Sequence, residues 1–416
     1  MNYDVIVVGG GASGMMAAIT ASENGKKVLL IEKNKTLGNK LKISGGGRCN
    51  ITHDERDIRK LLAHYGEAEQ FLYSTFSQFS VDDTWHWFEG RGLPLQTEAR
   101  NRVFPQSQKA SDVCRLFEKL LKEHKVEIIT DCAVSRVTVA PATVLISSVV
   151  TNKGTFEGES VVLATGGVSH PETGSTGDGF TWLRDLGHTV VDPTPNIVPL
   201  MVADRWIKDM PGVSFEDIKI TFYIDGRKTF SKDTKTAGKL LCTHFGLSGP
   251  LALNSSKQVA DMLEEGVVTA SIDCFPDKNL GELETYILEI FDQNKNKQLK
   301  NVFSEIAPKG ASKSILSLVS HIDPDQQVNN VSKEARKELT RLLKALPVAI
   351  TGLMGFDKAV VADGGVDITE VDFKTMRSKK ITNLFITGDL LNIERPSGGF
   401  SLQLCWTTGF VAGKNV

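Results

Sequence analysis

The sequence predicts an α/β protein built on a dinucleotide-binding Rossmann unit, with further segments inserted between its parts. Three observations predict it: a strand–glycine–helix–strand–acid run over the first 32 residues, a buried strand ending in glycines at 161–167, and a closing strand, glycine turn and helix at 381–411. In the first, Asn2–Val8 holds the apolar run Val5, Ile6, Val7 and Val8. Gly9, Gly11 and Gly14 then supply G-x-G-x-x-G, followed by a helix-forming stretch, Met15–Asn24, that Gly25 can cap. A second strand, Lys27–Ile31, ends at Glu32. A dinucleotide needs all of these parts. The first glycine permits the tight turn, the second lets the backbone approach a pyrophosphate, and the third lets helix and strand pack closely. The free N–H groups of the helix N-terminus then face the phosphates. Glu32 stands where an acid accepts the ribose hydroxyls, and its charge argues against a 2′-phosphate there.

Bulk properties bound the rest. At 416 residues the chain is long enough for two or three domains. It is 41% apolar and 24% charged, with a net charge of −2, so nothing calls for a nucleic acid or an anionic membrane surface. Six cysteines are scattered without C-x-x-C, which fits reduced thiols better than disulfides or a zinc site, so no metal is expected. The first strand begins almost at once, leaving no room for a signal peptide, and no apolar run reaches bilayer length. The expectation is a cytoplasmic protein without a membrane span.

Lys33–Asn50 reads as a basic, glycine-rich loop, with Lys33, Lys35, Lys40, Lys42, Arg48 and Gly45, Gly46 and Gly47 in a row. Its backbone can approach a ligand closely, and its cations complement a pyrophosphate. Cys49 in this loop reads as a small buried thiol. Ile58–Gly92 and Ser111–His124 have helical spacing, and 127–163 alternates as a parallel strand, a meander and a return strand. That return strand ends in Thr165, Gly166 and Gly167. Three prolines in 192–199 mark a crossing between domains; 200–276 reads mostly as strands and 279–346 mostly as helix. Ile381–Asp389 is a last buried strand, whose acid can meet a ribitol or pyrophosphate hydroxyl. Gly398 and Gly399 then open an apolar helix whose N-terminus can stabilise an anionic ring.

The strings 9–14, 38–52, 163–180, 243–250, 375–380 and 397–404 together carry a resemblance across nearly the whole chain. The chain resembles the bacterial NAD(P)/FAD-dependent oxidoreductases, a flavoprotein family that includes aminoacetone oxidase-like enzymes and a reductase of dehydro-bile-acid intermediates. The resemblance implies a glutathione-reductase-like Rossmann FAD domain (1–191 and 350–416), an inserted β-barrel-like domain (192–277) and a helical domain (278–349). It also implies non-covalent FAD. The cofactor-binding set is then Gly9, Gly11, Ala12, Ser13, Gly14, Glu32, Lys33, Asn39, Lys40, Ser44, Gly45, Gly46, Gly47, Arg48, Cys49, Asn50, Val134, Thr165, Gly166, Gly167, Gly388, Asp389, Gly399, Phe400, Ser401 and Leu402. The chain departs from the family's pattern at Asp389 (usually Glu), at 391–395 (usually an LDVDG-like run), at Phe400 and Ser401 (usually Tyr and Asn) and at His170 (commonly Tyr). These departures bear on substrate choice more than on FAD.

A flavin carries its own redox chemistry, and the protein supplies orientation and electrostatics. The leading expectation is hydride transfer between flavin N5 and a small organic substrate. No second complete G-x-G-x-x-G with a trailing acid exists, so NAD(P)H visits transiently or oxygen takes the electrons. Without C-x-x-C, a disulfide reductase is disfavoured. His170 and His244 are acid–base candidates by type, and Arg395 is a candidate anchor for an anionic substrate, with an ordinary surface arginine as the alternative. Two other readings remain: a non-enzymatic redox sensor using 279–346 as a partner surface, and a tRNA-modifying flavoprotein, which should show a basic surface. The sequence leaves the oligomeric state open.

Overall fold

The computed structural model describes residues 2–140, 142–228 and 237–416. They form two compact units, Met1–Pro195 with Val360–Val416, and Asn196–Ala359. In the first, parallel strands run in the order Leu384–Ile386, Gly154–Leu163, β1 (Asn2–Val8), β2 (Val28–Ile31) and Glu127–Ile129. Their buried parts are rich in Val, Leu and Ile because a parallel sheet is covered on both faces; all four residues of β2 are buried, as are Val161–Leu163 at the end of the return strand. Before the return strand, Val134–Val139 and Ile146–Thr151 form the antiparallel meander read from the sequence.

Helix α1 (Ala12–Glu23) is buried continuously from Ser13 to Ala21. It is apolar or small on every side, as a helix enclosed by protein must be. One cover is the terminal helix, Phe400–Asn415. A Cβ built on Gly409 would lie 2.4 Å from the Ser13 carbonyl oxygen, and one on Gly413 the same distance from that of Ala17. Two backbones are thus in direct contact, across a glycine pair four residues apart.

The stretch read as a basic loop is partly helical. Helix α2 spans Asn39–Gly47, entered through Gly38 in the left-handed region and broken at Ser44, Gly45 and Gly46. Leu41 is buried, and this anchor turns the polar sequence into a helix against the core.

In the second unit, described strands Ser214–Ile224, Ala237–Cys242, Gly246–Ser248, Leu200–Val202, Leu346–Leu353 and Val268–Asp273 pair in that order. The last returns to the first, closing an antiparallel barrel. Two features differ from the sequence reading. Helices Gly249–Asn254 and Ser256–Glu265 lie inside the stretch read as strands. The helices of 280–344 share one core with the barrel: Leu283, Ile287, Leu339 and Leu343 cluster with Ile220, Ile272 and Leu346. A one-sided apolar helix such as Lys333–Lys344 must bury that side, and the barrel supplies the matching surface. The chain leaves the first unit in Val190–Asn196 and returns in Val361–Val366, and these two strands pair with each other. No helix among the described residues is long and apolar enough to cross a membrane.

The helix contact gives a test. Gly413→Val places a side chain against the Ala17 carbonyl and the Thr20 Cβ, and overpacking of this kind costs about 1–3 kcal/mol. The thermal midpoint of the first unit should fall by several degrees in calorimetry. Gly187→Ala, in open space although at φ +84°, should cost less.

Candidate functional site

The turn after β1 is built as a dinucleotide loop requires. Gly9 has φ +107°, and a Cβ there would press within 2.5 Å of the Ala164 carbonyl oxygen at the end of the return strand. A Cβ on Gly14 would lie 1.9 Å from the Gly9 oxygen. One on Gly11 meets nothing within 4 Å. The first and third glycines therefore serve packing, while the second borders open space where a ligand can approach. Ala12 and Ser13 form the first turn of α1, and Thr387 Oγ1 donates to Ser13 Oγ at 3.3 Å.

Glu32 ends β2 and is buried. Its Oε2 accepts from the Gly10 N–H at 2.7 Å, and its Oε1 accepts from Asn34 N at 2.8 Å and Asn34 Nδ2 at 2.7 Å. The sequence reading missed Asn34, which aims this carboxylate. Cys132 N–H donates to the Glu32 carbonyl, bringing the chain that leads into Val134 beside the same strand end.

The cations of the glycine-rich segment divide sharply. Lys33 pairs with Asp178 at 2.8 Å, and Arg48 bonds Glu98 at 3.0 Å and Gln108 at 2.8 Å while lying 4.0 Å over the Phe104 ring. Both charges are thus paired with protein carboxylates. Lys40 differs. Its Nζ is buried without a hydrogen-bond partner among the described residues, 3.6 Å from Asp389. A buried ammonium in this condition is costly unless an anion completes it. Asn39 accepts from Thr36 Oγ1 at 2.6 Å, and Ser44 Oγ donates to the Leu41 carbonyl at 2.8 Å. Beyond Gly45, Gly46 and Gly47, all at positive φ, Cys49 is fully buried and its thiol is pushed up to about 12 by that burial. It is a packed thiol, as its reading held, and not a thiolate.

Thr165, Gly166 and Gly167 lead away from the return strand; Gly167 faces the backbone of Asp389. His170 has φ +53° and its Nδ1 is 2.8 Å from Glu172. His244, in the second unit, stands edge-on to Phe245.

Asp389 and Arg395 form an ion pair, with Arg395 Nη2 donating to Asp389 Oδ1. Arg395 also donates through Nη1 to the Ile393 carbonyl at 2.6 Å and through Nε to Ser401 Oγ at 3.0 Å. Its side chain is 1% exposed. Arg395 is therefore not an ordinary surface arginine: three of its N–H groups bond within the protein. Burial alone would raise the Asp389 carboxyl, but Arg395 and Lys40 outweigh it and hold it below the usual range.

The terminal helix starts at Gly399, φ +107°, whose Cβ would strike the Thr52 carbonyl at 2.3 Å. With its amide oriented to satisfy both ends, Asn50 donates to the Val103 and Thr52 carbonyls and accepts from Gly399 N–H at 3.0 Å. Gly388, φ +63°, lies against Ser13 and Cys405, and Leu402 packs on the core. Phe400 is buried among rings that the sequence reading passed over: His53 stacks on it at 4.5 Å, with His64 at 4.8 Å and Tyr65 at 5.9 Å. The histidines stand more than 330 positions from Phe400, so no local pattern signals the cluster.

Arg395→Met should destabilise the apoprotein by about 3–5 kcal/mol in denaturant unfolding, because it strands a mostly buried carboxylate. A side chain merely waiting for substrate would change stability by less than about 0.5 kcal/mol. The folded pKa of Asp389 lies below its unfolded value. Its stabilisation is therefore present above pH about 3.9 and lost as pH falls through the folded value.

The donors and spaces fit FAD: an open approach at Gly11, a buried Lys40 ammonium without a hydrogen-bond partner among the described residues, and two helix N-termini. Comparisons with known proteins agree. A family model described as HI0933-like protein Rossmann domain matches residues 3–415. The 3-dehydro-bile acid delta(4,6)-reductase of Clostridium scindens is 30% identical over 98% of this chain and 97% of its own. The ribosomal RNA dihydrouridine synthase of Escherichia coli is 24% identical over 100% and 98%. Among solved structures, 3-ketosteroid delta1-dehydrogenase from Sterolibacterium denitrificans superposes with a TM-score of 0.56 over 99% of this chain and 98% of its own, at 15% identity, which speaks to the fold alone. With its glycine turn, its buried cation and an end-to-end family match, the chain belongs to the HI0933-like family of Rossmann-type FAD flavoproteins and is a flavin-dependent oxidoreductase.

Proposed function

We propose that this enzyme reduces a carbon–carbon double bond conjugated to a carbonyl in a small organic substrate, with NAD(P)H visiting transiently to reload the flavin. One observation carries the reading. Two relatives that align with the chain from end to end are named for the same bond change: saturation of Δ4,6 bonds in a 3-oxo bile acid, and formation of dihydrouridine from uridine. Their substrates differ greatly in size; the conjugated alkene is what they share.

When bound, FAD supplies the hydride chemistry. The chain's own residues bind and bias it. Glu32, at the end of β2, would meet the ribose, and the open side of Gly11 would admit the pyrophosphate. Lys40, Asp389 and Arg395 together carry one net positive charge, and the terminal helix adds its N-terminal dipole. Both favour an anionic reduced ring over the neutral oxidised one. A net charge of −2 favours a small substrate over RNA, since an RNA enzyme needs an excess of basic surface. Six free cysteines support a reducing, cytoplasmic setting.

Anaerobic stopped-flow measurement tests the proposal. NADH or NADPH should bleach the flavin, and a 3-oxo-Δ4 steroid acid or a simple cyclic enone should restore its colour. Restoration by oxygen alone would identify an oxidase, and restoration only by a uridine-containing ribosomal RNA fragment would replace the small-substrate reading. Lys40→Met should weaken FAD binding roughly 10- to 100-fold, the loss of one charge-assisted contact. Titration of apoprotein with FAD checks this.

A further inference from the structure

We propose that His53 is the proton donor that completes reduction of the substrate double bond, acting from a strand locked against the first turn of the terminal helix. The inference rests on the conjugated-alkene reading and deepens it by naming the group that supplies the proton.

The reaction requires such a group. Bound reduced FAD would supply a hydride, with its electron pair, to the carbon β to the carbonyl. The alkene π pair moves to the carbonyl oxygen, leaving an enolate. The α-carbon must then accept a proton, which restores the C=O bond. The balance is one hydride, which FAD would supply, and one proton from the donor, which is recharged from water.

The titratable groups of the turn and of the candidate site narrow the choice. Tyr65 is fully buried, donates to the Phe400 carbonyl at 2.9 Å, and has its phenol pushed up by burial. The thiols of Cys49 and Cys405 are pushed up to about 12 by burial. Arg395 and Asp389 hold each other. His170 is bound to Glu172. His64 is exposed. His53 is half-buried and held from two sides.

Its backbone is fixed by the neighbouring Thr52. Thr52 Oγ1 donates to Gln403 Oε1 at 2.6 Å, its carbonyl abuts Gly399, and the strand pairs with Arg102–Pro105. Its ring stacks on Phe400 with planes 23° apart. Nδ1 is 3.2 Å from the Gly398 carbonyl oxygen. A carbonyl only accepts, so Nδ1 carries the hydrogen. This fixes the tautomer and leaves Nε2 as the atom that exchanges protons; no described residue hydrogen-bonds it. The glycine whose oxygen sets this tautomer adjoins the helix N-cap, so imidazole and helix dipole address the same region.

Burial, aided by the neighbouring charge of His64, lowers the His53 pKa, against the Gly398 bond and the carboxylates of Glu55 and Asp54. Those carboxylates have other duties: Asp54 bonds Arg56 and Thr97, and Glu55 accepts from Asp57 N–H. Arg102, opposite His53 on the paired strand, bonds the Ala99 carbonyl. Only the protonated imidazole can give a proton from Nε2. The reductive step should therefore be fast at low pH and slow as pH rises through the His53 pKa, below its ordinary value of about 6.5.

The test uses holoenzyme, reduced anaerobically and mixed with a 3-oxo-Δ4 steroid acid between pH 5 and 9. His53→Asn keeps an N–H able to reach the Gly398 carbonyl, and His53→Phe keeps the stack on Phe400. Both should bind FAD and be reduced by NAD(P)H as the wild type is. Both should reoxidise with the steroid about 100-fold more slowly or worse, the ordinary worth of a general acid, and lose the pH dependence. Variants that reoxidise within about threefold of wild type and keep the limb overturn the role of His53 while leaving the alkene reading intact. A wild-type enzyme that no enone reoxidises overturns both.

Discussion

The contact between the first and last helices is the constraint on which the site depends. A cofactor can be addressed by two helix N-termini only if both helices start at the same edge of the sheet. Gly409 and Gly413 let the terminal helix lie directly on the α1 backbone at Ser13 and Ala17. That contact brings Gly388 against Ser13, and through Gly399 it presses the Thr52–His53 strand into place. Residues nearly 400 positions apart thus become one surface.

The parts legible in the sequence are those whose chemistry is local. The glycine turn could be read because each glycine has a distinct steric task within six residues, and the structure assigns Gly9 and Gly14 to close packing. The parallel strands could be read because double-sided burial demands uninterrupted Val, Leu and Ile. What escaped reading depends on partners distant in sequence. Leu41 draws a polar segment into a helix, and Asn34 aims Glu32. His53 is an unremarkable histidine until Phe400 is laid on it. The glycine pair at 409 and 413 shows its purpose only once α1 lies against it. The helices of 280–344 showed their apolar faces plainly, but periodicity does not say which surface covers them; the barrel does.

Charge shows the same division. Sequence counts cations but does not pair them. Of the basic residues near the glycine-rich segment, Lys33 and Arg48 are neutralised by Asp178 and Glu98, and Arg395 by Asp389. Lys40 shares a carboxylate that Arg395 already holds, so the group keeps one unit of positive charge in a low-dielectric setting. There a charge acts more strongly than on an exposed loop. The arrangement concentrates electrostatic influence in one side chain.

The pairing of Val190–Asn196 with Val361–Val366 has a consequence for the history of such a chain. Both covalent crossings lie side by side in one ribbon, so the parallel sheet is complete without anything that lies between them. A segment of some 160 residues could be acquired, lengthened or replaced at that ribbon while the nucleotide-binding scaffold kept its register. Its two prolines sit in a two-stranded ribbon, where missing donors cost least. The fold separates an inherited redox engine from an attachment free to diverge, so lineages could change what they act upon without relearning how to hold a flavin.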